Sequence, residues 1–216
     1  MSRLLKASPS LIDSDWYEVV KGVIRARVDR GIAEASDFLD RNETYFIDIQ
    51  PDPLKTNSIW FISLCTKPYA PRLMIATAID CRELLAGIIA KHLSMLLMVM
   101  GFSVQDSKDS DIELTDANIR VMREWEGFFI SSSTISVDLR YKDNVFSIVC
   151  ESNGREIEFV ELPGLSTKGA WILTKQFTML LASLGKYVET ADHTIGNRYG
   201  LVEFAPGIAD GSEEDE

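Results

Sequence analysis

A cysteine, two histidines, two lysines and an arginine are the side chains here whose types and settings can do chemistry. Cys81 follows Asp80 at the head of a long apolar run. The positive end of a helix dipole there favours thiolate, and Arg82 is adjacent, so Cys81 is a candidate reactive thiol. No histidine stands at a spacing that identifies its base, and free cysteines are among the most buried residues, so an inert thiol is the stronger reading. His92 lies inside the same run beside Lys91. Buried histidines more often pack and hydrogen-bond than ligate or catalyse, and a polar structural role is expected.

Lys91 has a counterpart in Lys175, discussed below. Two such lysines can face one cleft and bind a carboxylate or an acidic peptide. The plainer reading is that both lay their stems along apolar surface with the ammonium in water. Near the C-terminal end, Asp192, His193, Asn197 and Arg198 gather in a glycine-containing loop. His193 and Arg198 are candidate ligand contacts, but a lone histidine among mixed neighbours is not a metal-ligand set. Glu156, Glu158 and Glu161 read as the wet side of an antiparallel sheet rather than as acid–base carboxylates.

No P-loop, dinucleotide fingerprint, nucleophile elbow, H-E-x-x-H or C-x-x-C pattern occurs. The sequence therefore assigns no catalytic residue, no metal site and no cofactor. Enzymes of an unmarked class stay open, with Cys81 or His193 as the groups they would use.

The elements that would position these groups centre on Asp80 to Phe102, the most apolar stretch of the chain. Leu84, Leu85, Ile88, Ile89, Leu93, Leu96, Leu97 and Met100 recur at steps of three and four, the helical period. Met95, Met98 and Val99 make the helix apolar nearly all round, as suits a core or a bilayer. Its length would span a membrane. Lys91 in the middle costs about 2.5–3.5 kcal/mol there, so a core helix is expected. Asp80 and Glu83 have the spacing of a capping box, and Gly101 that of a helix stop.

Ala170 to Val188 repeats Ala86 to Val104 without a gap at an offset of 84. Lys175, Met179, Leu180, Leu181, Gly185 and Val188 fall on Lys91, Met95, Leu96, Leu97, Gly101 and Val104, and Gln176 falls on His92. Any two core helices share leucine, but the shared lysine, Met-Leu-Leu and terminal glycine favour an internal duplication.

Around these helices the same order recurs. Asp15 and Glu18 begin an amphipathic helix that Gly31 is expected to break or bend. Strands follow at Tyr45–Gln50, Ile59–Thr66 and Leu73–Ala78, the second buried on both faces. A polar loop after Phe102 separates the halves. Thr115 or Asp116 caps a shorter helix to Glu126. Strands at Ile135–Tyr141, Val145–Cys150 and Ile157–Val160 follow, joined by turns at Lys142-Asp143-Asn144 and Asn153-Gly154. Cys65 and Cys150 occupy similar places in their middle strands.

The expected fold is α+β: two tandem αβββα units with mainly antiparallel sheets and a shared helical core, the second half playing the part of a partner subunit. The organisation reads as an N-terminal arm (1–12), a first unit (13–104), a linker (105–114), a second unit with a terminal strand at Tyr199–Phe204 (115–205) and an acidic tail (206–216).

The 216 residues carry a net charge of −11, of which the tail supplies −5. An acidic body does not suit a phosphate-backbone binder, so no nucleic-acid partner is expected. Three cysteines without metal spacing suit a reducing compartment, and the N-terminus has no secretory h-region, which points to the cytoplasm. The first functional expectation is a non-enzymatic scaffold for another protein or an extended peptide; the methionine-rich helices favour it, and homo-oligomerisation is open. In element order alone the scheme resembles small acidic bacterial secretion chaperones, which also lead with αβββα; no residue motif carries that resemblance. The alternative is a small-molecule or sensory module whose site lies at the junction of the halves.

Overall fold

A computed structural model describes residues 14–53, 58–66, 71–106 and 112–190. Residues 32–190 belong to one compact unit, and residues 14–31, which are helical, belong to another. The first half contributes α1 (Ser14–Phe38), β1 (Thr44–Pro51), β2 (Ile59–Cys65), β3 (Arg72–Ile79), α2 (Glu83–Val99) and β4 (Ser103–Asp106). The second contributes α3 (Asp116–Trp125) continued by one π-helical turn (Glu126–Ile130), β5 (Thr134–Lys142), β6 (Val145–Ser152), β7 (Arg155–Pro163), α4 (Thr167–Ser183) and β8 (Tyr187–Thr190). Among the described residues there are two four-stranded sheets of matching order, β3-β2-β1-β4 and β7-β6-β5-β8. The fold is α+β in two similar halves.

The likeness extends to register. Phe46 pairs with Cys65 and Cys65 with Arg72, as Ser136 pairs with Glu151 and Glu151 with Glu156. In the first sheet the ladder slips between Ile62 and Ser63, which face Ala76 and Met74 and leave Ile75 as the extra residue. In the second it slips between Ile148 and Val149, which face Val160 and Glu158 and leave Phe159 as the extra residue. A β-bulge bends a strand and re-aims one side chain. Here both extra residues are buried.

The two core helices end alike. At α2, the Gly101 amide donates to Met98 O and the Phe102 amide to Leu97 O; at α4, Gly185 and Lys186 donate to Ala182 O and Leu181 O. Both glycines have positive φ, the Schellman geometry that closes a helix through a left-handed residue. The chain can then turn back to lay β4 beside β1, and β8 beside β5, in parallel.

Several expectations need correction. Asp80 does not cap α2: the cap position is Arg82, without a side-chain bond, and Asp80 is left-handed at φ 56°. Its register counterpart is Gly164, φ 74°, so a sharp turn rather than a cap accounts for this position. Gly31 does not interrupt α1, whose helix starts at Ser14, ahead of Asp15. The polar stretch after Phe102 is not all linker, because Ser103–Asp106 forms β4 and buries Val104. Cys65 and Cys150 are not equivalent. By register Cys65 matches Glu151, and Cys150 matches Leu64. Thr115 does cap α3, in a reciprocal pair with Asn118, and Asn153-Gly154 forms the expected hairpin turn with both φ values positive. The expected strand at Tyr199–Phe204, the arm and the acidic tail lie outside the described residues.

One apolar core runs through both halves. Tyr45, Ile47, Ile62 and Leu64 of the first sheet, Met95, Leu96 and Leu97 of α2, and Ile135, Ile148, Leu180 and Leu181 of the second half belong to it. Each helix also crosses to the other half: α4 packs along β3, and α2 reaches β7. Gly169 makes the first crossing close, since a Cβ there would sit 2.5 Å from the Ile79 carbonyl oxygen.

Gly169→Ala is therefore expected to destabilise the chain by about 1–3 kcal/mol through overpacking against backbone. Gly127→Ala, with open space around it, should stay within about 0.5 kcal/mol of the parent. Gly164→Ala should cost about 1 kcal/mol from its left-handed backbone alone, whereas Asp80→Gly should be neutral to slightly stabilising. Denaturant midpoints of the four variants check this ordering.

Candidate functional site

The residues singled out from sequence fall around α2 and α4. Cys81 lies just before the α2 cap, in a segment tied to β2. Its amide donates to Ser58 O, and the Trp60 indole donates to its carbonyl at 3.1 Å. The side chain is buried, with Sγ 3.3 Å from the Arg82 carbonyl oxygen. Burial pushes the thiol up to about 11, with the Ala86 amide opposing only in part. The helix N-terminus thus fails to give a thiolate, because desolvation of the charged form outweighs the dipole. Cys65 and Cys150 are also free, buried and raised by desolvation.

Lys91 and Lys175 hold equivalent, half-buried places on α2 and α4. The Lys175 ammonium sits 5.2 Å from the centre of the Trp171 ring, one turn earlier on its own helix. That contact is a cation–π interaction built on a side chain lying along apolar surface. Neither lysine has an ion pair among the described residues. His193 and Arg198 lie outside the described residues, as do Asp192 and Asn197.

His92 is where the two halves meet. Its ring centre lies 5.9 Å from Trp125 of α3 and 6.1 Å from Phe159 of β7. Phe159, the extra residue of the second bulge, stacks on Trp125 at 4.9 Å and on Phe177 of α4 at 4.1 Å. One ring from each of four elements therefore converges on the position that the bulge re-aims. His92 Nδ1 lies 2.8 Å from the Ile88 carbonyl. A carbonyl only accepts, so this nitrogen carries the proton in the neutral ring. Burial lowers the imidazole pKa, the Ile88 bond raises it, and Lys91 lowers it.

The polar structural role expected of the His92 position is clearest at its counterpart. Gln176 reaches from α4 to the edge of β3, where Oε1 accepts from the Thr77 amide at 2.6 Å and Nε2 donates to Thr77 Oγ1 at 3.1 Å. Sequence reading missed both the aromatic cluster and this clamp. Only the His92/Gln176 exchange within the repeat hinted at either.

Among the described residues, no group of three or more metal-ligating side chains forms. No protein-family model and no curated protein matches the chain.

Among the described residues, the Cys81 thiol is held protonated by burial. At neutral pH the thiolate fraction of Cys81 should be roughly 100-fold below that of a thiol with its ordinary pKa. Alkylation followed by peptide mapping should find Cys81 unmodified in the folded chain and modified after denaturation. Since the folded state holds this proton and the unfolded state releases it, stability should fall as pH rises from about 9 towards about 11. The fall should be steeper for the parent than for Cys81→Ala.

Proposed function

We propose that the chain is a non-enzymatic binding scaffold for another protein or an extended peptide, and that its first half makes the contact. The supporting observation is an internal one. At two register positions that both halves present to solvent, the second half carries charge where the first carries a large apolar side chain. Met74 of β3, 55% exposed, corresponds to exposed Glu158; Leu84 of α2, 78% exposed, corresponds to exposed Lys168. Solvent acts equally on both members of each of these pairs, so water does not impose the difference between them. Single exposed apolar residues are ordinary. Leu84 with Ile88 one turn on, and Met74 with half-buried Phe46 and Phe61 on the same sheet face, are not isolated.

Met95 and Met100 are core residues, whereas Met74 is exposed on the sheet. The alternative, a ligand site between the halves, gains no support from a junction filled by Trp125, Phe159 and Phe177. Three free, buried cysteines support a reducing compartment such as the cytoplasm. No helix among the described residues is long and apolar enough to cross a membrane.

Met74→Glu and Leu84→Lys import the residues that the same fold already tolerates at these positions. Each should leave the unfolding midpoint within about 0.5 kcal/mol of the parent. Together they should abolish the partner bands recovered by full-length bait in a quantitative pull-down. An identical recovered set from bait carrying both substitutions would overturn the proposal.

A further inference from the structure

Two seams join the halves, related by the repeat but built from different materials. The α4–β3 seam is close and polar at its centre: Gly169 lets the helix approach Ile79, and Gln176 clamps Thr77 through two hydrogen bonds. None of these groups titrates. In the α2–β7 seam the Gly169 position is taken by buried Leu85, and the Gln176 position by His92. Leu85 adds bulk where glycine allowed close approach, and α2 meets β7 less extensively than α4 meets β3. Among the described residues His92 makes no hydrogen bond across this seam; its Nδ1–H serves Ile88 of its own helix, and its ring rests against Trp125 and Phe159.

We propose that the α2–β7 seam is an acid-sensitive hinge, in which protonation of His92 loosens α2 from Trp125 and Phe159 while the α4–β3 seam stays shut. A second ring proton would enter at Nε2, because Nδ1 already holds one. The new N–H needs an acceptor, and the facing rings of Trp125 and Phe159 supply no lone pair. Water at the margin supplies one, so hydration draws the ring outward. Among the charged groups around it, Lys91 on α2 repels the imidazolium. Glu124 and Glu126 beside Trp125 on α3, and Glu158 and Glu161 beside Phe159 on β7, are exposed to solvent. Phe177 is the residue of α4 in this cluster and brings no charge.

Opposing this, an aromatic face attracts a cation. If that attraction prevailed, acid would tighten the seam. Burial of the neutral ring is the larger influence on His92, so loosening is the direction expected. By linkage, the neutral ring's contribution is complete above the ordinary imidazole range and is lost as pH falls below it.

Amide hydrogen exchange of the full chain at about pH 7.5 and about pH 5.5, corrected for intrinsic rates, tests this across the imidazole range. Exchange in α2, α3 and β7 is expected to accelerate severalfold in acid, with β3 and α4 unchanged. His92→Gln, which imports the residue of the other seam, should remove the acceleration; His193 stays in place as an internal control. The proposal fails if both seams accelerate together, if neither does, or if His92→Gln behaves as the parent. Should that variant not fold, the His92 ring resonances of the parent decide. Titration below the ordinary imidazole value supports the hinge, and titration at or above it overturns the hinge.

Discussion

Coverage of a sheet edge by a helix from the opposite half is the constraint on which this structure rests. A strand at the end of a sheet exposes a row of unpaired backbone groups, which invites pairing with another chain. Here α4 lies along β3, and Gln176 takes the Thr77 amide that the ladder leaves free. A buried amide without a partner would cost about 1–3 kcal/mol, so the glutamine sits where the backbone demands one. The apolar burial that accompanies it is the larger stabilising contribution. Neither half can supply this cover for itself, because each core helix is already committed on one face to its own sheet. The repeat is thus closer to a fused dimer than to two beads on a string.

Fusion frees the two copies to diverge, and the divergence is local and chemical. The strand ladders, the bulges and the helix stops stay in register. At the seams, Leu85 faces the role of Gly169 and His92 that of Gln176, so one crossing is tight and polar while the other is apolar and titratable. On the sheet faces, the first half carries Phe46, Phe61 and Met74 where the second carries Ser136, Ser147 and Glu158. A homodimer could not make these choices separately, since each substitution would appear at both sites.

How much of this was legible in the sequence follows from which distances the repeat preserves. The core helices align at a fixed offset because nothing between Lys91 and Gly101 varies in length, and their shared Met-Leu-Leu is the part that packs. The first two strands of each half do not share that offset. Phe46 matches Ser136, 90 residues on, and Phe61 matches Ser147, 86 residues on, because the connecting turns differ in length. A gapless comparison therefore misplaces those strands, and the similar places of Cys65 and Cys150 in their middle strands prove to be one residue out of register. In a strand that one-residue slip reverses the face. β4 was illegible for another reason: four residues, S-V-Q-D, with one buried side chain give no period to detect. Asp80 and Glu83 have capping spacing, yet the chain uses Asp80 to turn sharply between β3 and α2. Only its match to Gly164 reveals this.

Among the described residues, the polar side chains are placed by the demands of the interior. A reactive thiol, a catalytic base or a metal set requires charged or polar groups to be held together at a partly dry surface. In this chain the dry regions are given over to apolar side chains, and the polar groups within them are satisfied one by one. Trp60 bonds to the Cys81 carbonyl, Ser94 to Ala90 and Thr174 to Ala170. Every buried side-chain polar atom among the described residues has a partner. Such an interior satisfies its own polar groups. What it leaves variable is the solvent-facing residue at each register position. Differences between the halves at those positions are where the two copies can diverge without disturbing the core.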